Sequence, residues 1–276
     1  MLSIWDTGYR RRVGTFPISG VGKVTAASFS PDGRSLAIAS YPLGVVIVEA
    51  ATWQVRARFP AFTRDPSLLW SAPRDWDALT WSPDCRLLAI AGPDGGLSVW
   101  DVTKLGEPVA TDGPALEKAW VTLASNDARI GFVALRTILT SEDTGVALLK
   151  SKLAAVPAVD AKRLAALLTD LTSEDFPTRE AAMTELKKLG RLAAPVMRVY
   201  MKAPKSPEGA QRVGELLRLV DGAILGPDDR RVVRTVEAVV WIGTPEAEKL
   251  LKVWAGGADG ALLTTKARAA LERRKK

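Results

Sequence analysis

The residues that could carry chemistry are few, and histidine is not among them. The chain has no histidine and a single cysteine, Cys85. This composition excludes Ser-His-Asp and Cys-His nucleophile systems, His-ligated zinc and intrachain disulfides. No Walker-type phosphate loop or dinucleotide-type glycine spacing occurs either. We interpret Cys85 as structural, and we predict that the chain is not an enzyme and uses no cofactor or metal.

Two acidic pairs have residue types suited to Mg²⁺ binding or acid–base chemistry. They are Glu174-Asp175 and Asp228-Asp229. Each pair sits at the start of a predicted helix, where negative charge stabilises the helix dipole. The sequence therefore favours helix capping over catalysis at both places.

The first half of the chain contains a repeated segment whose pattern predicts β-strands. Residues 27–39 and 79–91 align, and each contains the turn sequence Ser-Pro-Asp-x-Arg between two apolar runs. Proline presets φ for a tight turn and aspartate bonds to its own backbone, so each segment predicts a β-hairpin with strands short enough to be buried on both faces. A glycine-containing turn and a third strand follow each hairpin, and these third strands end at Val48 and Trp100. The first residues of the chain match the same third strand, which there ends at Trp5.

These hairpins resemble WD-repeat β-propellers, with Trp5-Asp6 and Trp100-Asp101 as the dipeptides that name the family. The resemblance covers roughly residues 1–105 and implies about two and a half blades, with Trp5 and Trp100 as structural residues ending buried strands. The family's Gly-His dipeptide is missing, and Cys85 occupies the turn position of Gly33. Because propellers close with about 4–8 blades, we expect this portion to be either a truncated gene product or the C-terminal piece of a larger propeller.

An insertion between the second and third repeats supplies the candidate binding residues. Residues 61–75 are rich in aromatic side chains and arginine, which is typical of contact surfaces on loops. The alternative is that these aromatics cover the blade edge. The candidate partner-binding residues are Phe62, Arg64, Leu69, Trp70, Arg74 and Trp76.

From about Pro114 the hydrophobic spacing becomes helical. The predicted helices cover 114–124, 127–140, 143–155, 160–171, 175–189, 192–202, 207–221, 227–242, 245–255 and 264–274. Cap residues before Pro207, Pro227 and Pro245 predict helix starts, and Gly190 and Gly243 predict helix ends. Trp120, Trp241 and Trp254 are predicted to pack in the core rather than line a ligand groove.

The helix pairs resemble HEAT-type repeats, which stack into a solenoid. The combination of such a tail with upstream WD repeats resembles a family of planctomycete bacterial proteins. The predicted fold is therefore a multidomain β plus α protein: a partial WD40 β-propeller over residues 1–112, followed by an all-α HEAT-like solenoid over residues 113–276.

The net charge of +7 is concentrated in the second half. Residues 1–113 carry 11 Lys/Arg and 11 Asp/Glu, whereas residues 114–276 carry 27 and 20. The signs are mixed along the helices, which argues against a general polyanion surface. No apolar run approaches the roughly 18 residues of a membrane span and no signal peptide is evident, so we expect a cytoplasmic protein.

These features predict a non-catalytic protein–protein interaction scaffold of the WD-repeat type. Its partner is expected to be a protein, bound through residues 61–75 and the concave face of the solenoid, and exposed blade edges could also support self-association. Two alternatives remain open. One is a detached regulatory C-terminal part of a larger signalling or transcription protein, such as a sigma-factor-like protein or a kinase. The other is nucleic-acid binding through the basic helical half.

Overall fold

The computed structural model describes residues 2–8, 10–16, 23–41, 44–59, 78–91, 96–222 and 225–274. Nine strands occupy the first part of this range. They are β1 (Leu2–Asp6), β2 (Arg11–Phe16), β3 (Lys23–Phe29), β4 (Ser35–Tyr41), β5 (Gly44–Glu49), β6 (Gln54–Phe59), β7 (Ala78–Trp81), β8 (Leu87–Ala91) and β9 (Leu97–Asp101). They form three antiparallel sheets in the orders β1-β2, β3-β4-β5-β6 and β7-β8-β9.

The two Ser-Pro-Asp-x-Arg turns have the same hydrogen-bond pattern. The Ser30 hydroxyl donates to Asp32 Oδ1 at 2.6 Å and accepts from the backbone N–H of Ser35 at 3.0 Å. Ser82 makes the corresponding bonds to Asp84 and Leu87. The repeat seen in the sequence is therefore a structural repeat at the level of its turns.

The fourth residue of each turn lies in the left-handed region. Gly33 has φ 69° and Cys85 has φ 62°. Glycine adopts this conformation freely, whereas a side chain there costs on the order of 1 kcal/mol. Cys85 thus holds a position whose backbone is suited to glycine.

The sheets stack face to face, with the four-stranded sheet in the middle. One of its faces carries Leu36, Ile38, Val46 and Val48, and Ile4 of β1 packs against them. Its opposite face receives the third sheet. There the Phe59 and Trp100 rings lie 4.7 Å apart, and Trp81 Nε1 donates to the Ser28 carbonyl at 3.1 Å. Alternate residues of β4 and β5 therefore pack against different neighbours, and both faces of the middle sheet are buried.

Ten helices follow within the described residues. They are α1 (Gly113–Thr122), α2 (Ala128–Thr140), α3 (Glu142–Lys152), α4 (Ala161–Asp170), α5 (Phe176–Leu189), α6 (Ala194–Lys202), α7 (Pro207–Gly222), α8 (Pro227–Ile242), α9 (Pro245–Ala255) and α10 (Leu262–Arg273). The bounds predicted from spacing and capping agree with these to within three residues. Strands β2 and β6 have no counterpart among the predicted strands.

Capping chemistry explains several of these boundaries. The Ser206 hydroxyl accepts from the N–H of Gly209 at 3.0 Å, and the Thr244 hydroxyl accepts from the N–H of Ala247 at 3.3 Å. Gly190 and Gly243 end α5 and α8 with φ of 52° and 69°. The predicted starts and stops at these residues are confirmed.

The second and third sheets share one hydrophobic core with six of the described helices. This core joins Ile47 and Leu88 of the sheets to Leu135 of α2, Trp241 of α8 and Trp254 of α9. A second core lies among α4 to α7 and contains Leu168, Leu186, Met197 and Val213. The chain therefore leaves the first core after α3 and returns to it at α8, which packs on α2.

The structure shows the coarse fold class, a mixture of antiparallel sheets and helices. Propeller closure and a HEAT-type solenoid remain predictions. Trp241 and Trp254 are buried as expected, and Trp100 packs on Phe59. The expectation for Trp5 is wrong, because 61% of its surface is exposed at the outside of the stack.

Candidate functional site

The sequence-predicted binding residues cannot be placed in the fold. Phe62, Arg64, Leu69, Trp70, Arg74 and Trp76 all lie outside the described residues. Their role as a partner-binding loop therefore stays a prediction.

Cys85 is 5% exposed, and Asp32 of the other turn lies near its thiol. Burial, assisted by the nearby Asp32 carboxylate, raises the pKa of its thiol to about 12. A thiol with this pKa is protonated at neutral pH, and the thiolate is the reactive species. Its environment is that of a structural cysteine, as the sequence indicated.

One residue of each acidic pair, Asp175 or Asp229, makes a capping bond at the start of a helix. Asp175 Oδ2 accepts from the backbone N–H and hydroxyl of Thr178 at 3.1 and 2.6 Å, and these bonds lower the pKa of the Asp175 carboxyl. Asp229 Oδ2 accepts from the N–H of Gly226 at 3.4 Å, while its other oxygen pairs with Arg191 at 2.7 Å. Among the described residues, no group of three or more Cys, Asp or Glu side chains is arranged to hold a metal ion.

A buried arginine joins the middle sheet to the helices. Arg234 of α8 is 1% exposed and forms a two-pronged ion pair with Glu49 at the end of β5, at 2.7 and 2.6 Å. Its remaining terminal nitrogen donates to the carbonyls of Leu123 and Ser125, both at 2.7 Å. The guanidinium is therefore enclosed by acceptors from the sheet and from the α1–α2 connection.

A β-bulge in β6 directs a second arginine, Arg56, toward α8. The pairing of β5 with β6 shifts between Ile47 and Val48, which leaves Arg56 as the extra residue. Bulges redirect a side chain, and here Arg56 pairs with Glu237 of α8 at 2.9 Å. Its guanidinium also lies 5.0 and 5.3 Å from the ring centroids of Phe132 and Trp241.

The pKa values of two buried carboxyl groups near this junction, Glu237 and Asp32, shift in opposite directions. Burial raises the pKa of the Glu237 carboxyl, although the Arg56 charge opposes the shift. Burial would also raise the pKa of Asp32, but the Arg34 charge and hydrogen bonds from Ser30 and Arg34 outweigh it and lower that pKa. We interpret the junction as structural, because its charged groups face one another rather than an open cleft.

Much of the positive charge of α8 and α2 points inward. Arg230 donates to the carbonyls of Ala124, Ser125 and Leu225. Arg136 donates to the carbonyls of Thr103 and Glu107. These arginines hold loops in place, so they do not contribute to a basic surface for nucleic acid.

The third sheet has one covered face and one uncovered face. Its inner face carries Trp81, Leu88, Ile90 and Trp100, which join the shared core. The cross-strand pairs Ala78–Ala91–Leu97 and Thr80–Ala89–Val99, together with Leu87, lie on the other side. We call this side the outer face; its residues are Ala78, Thr80, Leu87, Ala89, Ala91, Leu97 and Val99.

The outer face is apolar and exposed. Leu97 is 71% exposed, Val99 58% and Leu87 41%. Asp101, paired opposite Leu87, brings the one carboxylate to its end. Every residue of β8 is apolar, so the sequence indicated a strand whose two faces are both buried. The structure instead leaves one side uncovered by any described element, and sequence reasoning did not find this surface.

Neither the protein-family models nor the curated proteins compared with this chain give a match. Within the described residues, no helix is both long and apolar enough to cross a membrane.

Proposed function

We propose that this chain is a non-catalytic protein-interaction scaffold of the WD-repeat type, and that the outer face of its third sheet is the binding surface. The single observation that supports the proposal is the exposure of Leu97 and Val99 on an apolar sheet face. Contiguous apolar surface of this kind on a soluble protein is typical of an interaction site.

The occupant we propose is the same face of a second copy of the chain. The opposite face of the same sheet is already covered by another sheet, so one further sheet would continue the stack. A two-fold interface places the same patch on both partners and therefore requires self-complementarity. The outer face meets this requirement, because its alanine, leucine, valine and threonine side chains bring no like charges together.

Amide hydrogen exchange, measured by mass spectrometry at low and high protein concentration, tests the location of this interface. We expect exchange in β9 (Leu97–Asp101) to slow at high concentration. The variant Leu97→Lys/Val99→Lys should lose this slowing, because two ammonium groups would have to be desolvated in the interface.

The matched control replaces two valines of similar exposure on helices. Val121 of α1 and Val253 of α9 are 64% and 61% exposed, and Val121→Lys/Val253→Lys should keep the slowing in β9. Slowing that maps to the helices, or that survives the change at Leu97 and Val99, would show that the outer face is not the interface.

A further inference from the structure

A groove beside β6 forms a second candidate binding site. It has a volume of about 830 Å³, and it is lined by residues 53–58, residues 105–109 and side chains of α2. This volume falls within the range of about 300–1,000 Å³ that is typical of ligand sites. It lies away from the outer face, since its walls are the middle sheet and the helical part.

The groove exposes the edge of a strand rather than a face. Six consecutive residues, 53–58, line it. One face of a strand would contribute only every second residue, so the backbone edge of β6 borders the groove. In the described part of the chain, β6 is the last strand of its sheet.

The lining is positively charged. The lining holds four arginines and one acidic residue, Glu107, but Arg136 is bonded to the carbonyls of Thr103 and Glu107 and Arg56 is paired with Glu237, so the charge open to a ligand comes from the other two arginines. Arg58 and Arg129 are exposed. Arg56 is 3% exposed and its charge is compensated by Glu237, although its Nε and Nη2 atoms have no hydrogen-bond partner among the described residues. The potential inside the groove therefore favours an anionic ligand.

Apolar side chains lie between the arginines. Trp53, Val55, Leu105, Phe132 and Val133 contribute to the walls. An extended peptide matches this mixture, because its side chains alternate and its backbone donors and acceptors can pair with the N–H and C=O groups of a strand edge. From this geometry we infer that the groove binds an extended acidic peptide segment of a partner protein, with carboxylates held by Arg58 and Arg129.

Fluorescence anisotropy with a labelled peptide of alternating Glu and Val tests this site on the full chain. We expect saturable binding that weakens as salt is raised. Arg58→Glu/Arg129→Glu should weaken it by roughly tenfold or more, because two favourable pairs become repulsive. The control variant Lys202→Glu/Arg218→Glu makes the same change in net charge at exposed residues outside the groove, and its effect should be much smaller.

Three results would overturn the inference. The first is no binding of the peptide to the wild-type chain. The second is an equal loss of affinity in the groove and control variants, which would mean a general charge effect. The third is equal or tighter binding of a labelled oligothymidylate of the same length, which would mean that the groove prefers nucleic acid to peptide. Circular dichroism of each variant, matching that of the wild type, establishes that the fold is retained.

Discussion

Removal of the Arg234 guanidinium should destabilise the whole described fold. Glu49 is 4% exposed, and in Arg234→Met the Thr52 hydroxyl, at 2.9 Å, would be the one side-chain partner left to its carboxylate among the described residues. Removing one member of a buried ion pair costs about 3–5 kcal/mol. The carbonyls of Leu123 and Ser125 also lose their arginine donors. We therefore expect the free energy of unfolding to fall by about 4 kcal/mol or more.

Urea denaturation, followed by tryptophan fluorescence and by far-ultraviolet circular dichroism, measures this loss. With a slope of about 3 kcal/mol per M urea, the midpoint should fall by more than about 1 M. The matched control is Arg163→Met, which removes an exposed pair with Glu185 at 2.7 Å. Its cost should stay below about 1 kcal/mol.

A double-mutant cycle separates the ion pair from ordinary packing. In Arg234→Met/Glu49→Met no unpaired charge remains, so the double variant should be about as stable as Arg234→Met or more stable. Strictly additive costs would contradict the account of Arg234 as the partner of Glu49. A cost for Arg234→Met no larger than that of Arg163→Met would contradict its burial.

Three further predictions concern glycine, cysteine and acid stability. Gly131→Ala should lower the urea midpoint, because its Cβ would collide with the guanidinium of Arg234, which four hydrogen bonds hold in place. Gly214→Ala, with open space around it inside α7, should instead raise the midpoint by gaining about 1 kcal/mol of helix propensity. Equal effects would contradict the packing of α2 on α8. Cys85 should react slowly with a thiol reagent at pH 8 in the folded protein and rapidly in urea, because burial raises its pKa to about 12; rapid reaction of the folded chain would contradict its burial. The pKa of Asp32 is lowered in the fold, so its contribution to stability is present above its ordinary pKa and is lost as pH falls through the folded pKa. Asp32→Asn should therefore flatten the acid side of a curve of unfolding free energy against pH. An unchanged curve would refute this.

Local patterns predicted the elements well because their causes are local. The Ser30 and Ser82 turns, the helix starts at Pro207 and Pro245 and the equivalence of Cys85 with Gly33 depend on a few adjacent residues. Each can therefore be read from spacing and residue type alone.

The junction could not be predicted in this way because its partners are distant in the chain. Arg56 and Glu237 are 181 residues apart, and the bulge that brings Arg56 to the helix depends on the register of two strands. One signal was present: Arg230, Arg234, Glu237 and Trp241 follow the spacing of one helix face. Charged residues on the same stripe as a buried tryptophan indicate paired charges inside the fold.

The outer face and the groove could not be predicted from the sequence either, because both depend on how the strands are arranged in the fold. Leu87 and Ala89 are as apolar as their neighbours on the inner face, so the pattern of β8 does not show which side is covered. Strand β6 has no counterpart in the predicted repeat, and its position at the sheet edge follows only from the strand order.

The solution mass of the chain, measured by light scattering across a range of concentrations, tests the central claim most directly. The account predicts a mass that rises toward twice the 29.6 kDa of one chain, a rise that Val121→Lys/Val253→Lys retains and Leu97→Lys/Val99→Lys abolishes. A mass of one chain at every concentration, or a doubled mass that persists with lysine at positions 97 and 99, would contradict the proposal that the outer face binds a second copy.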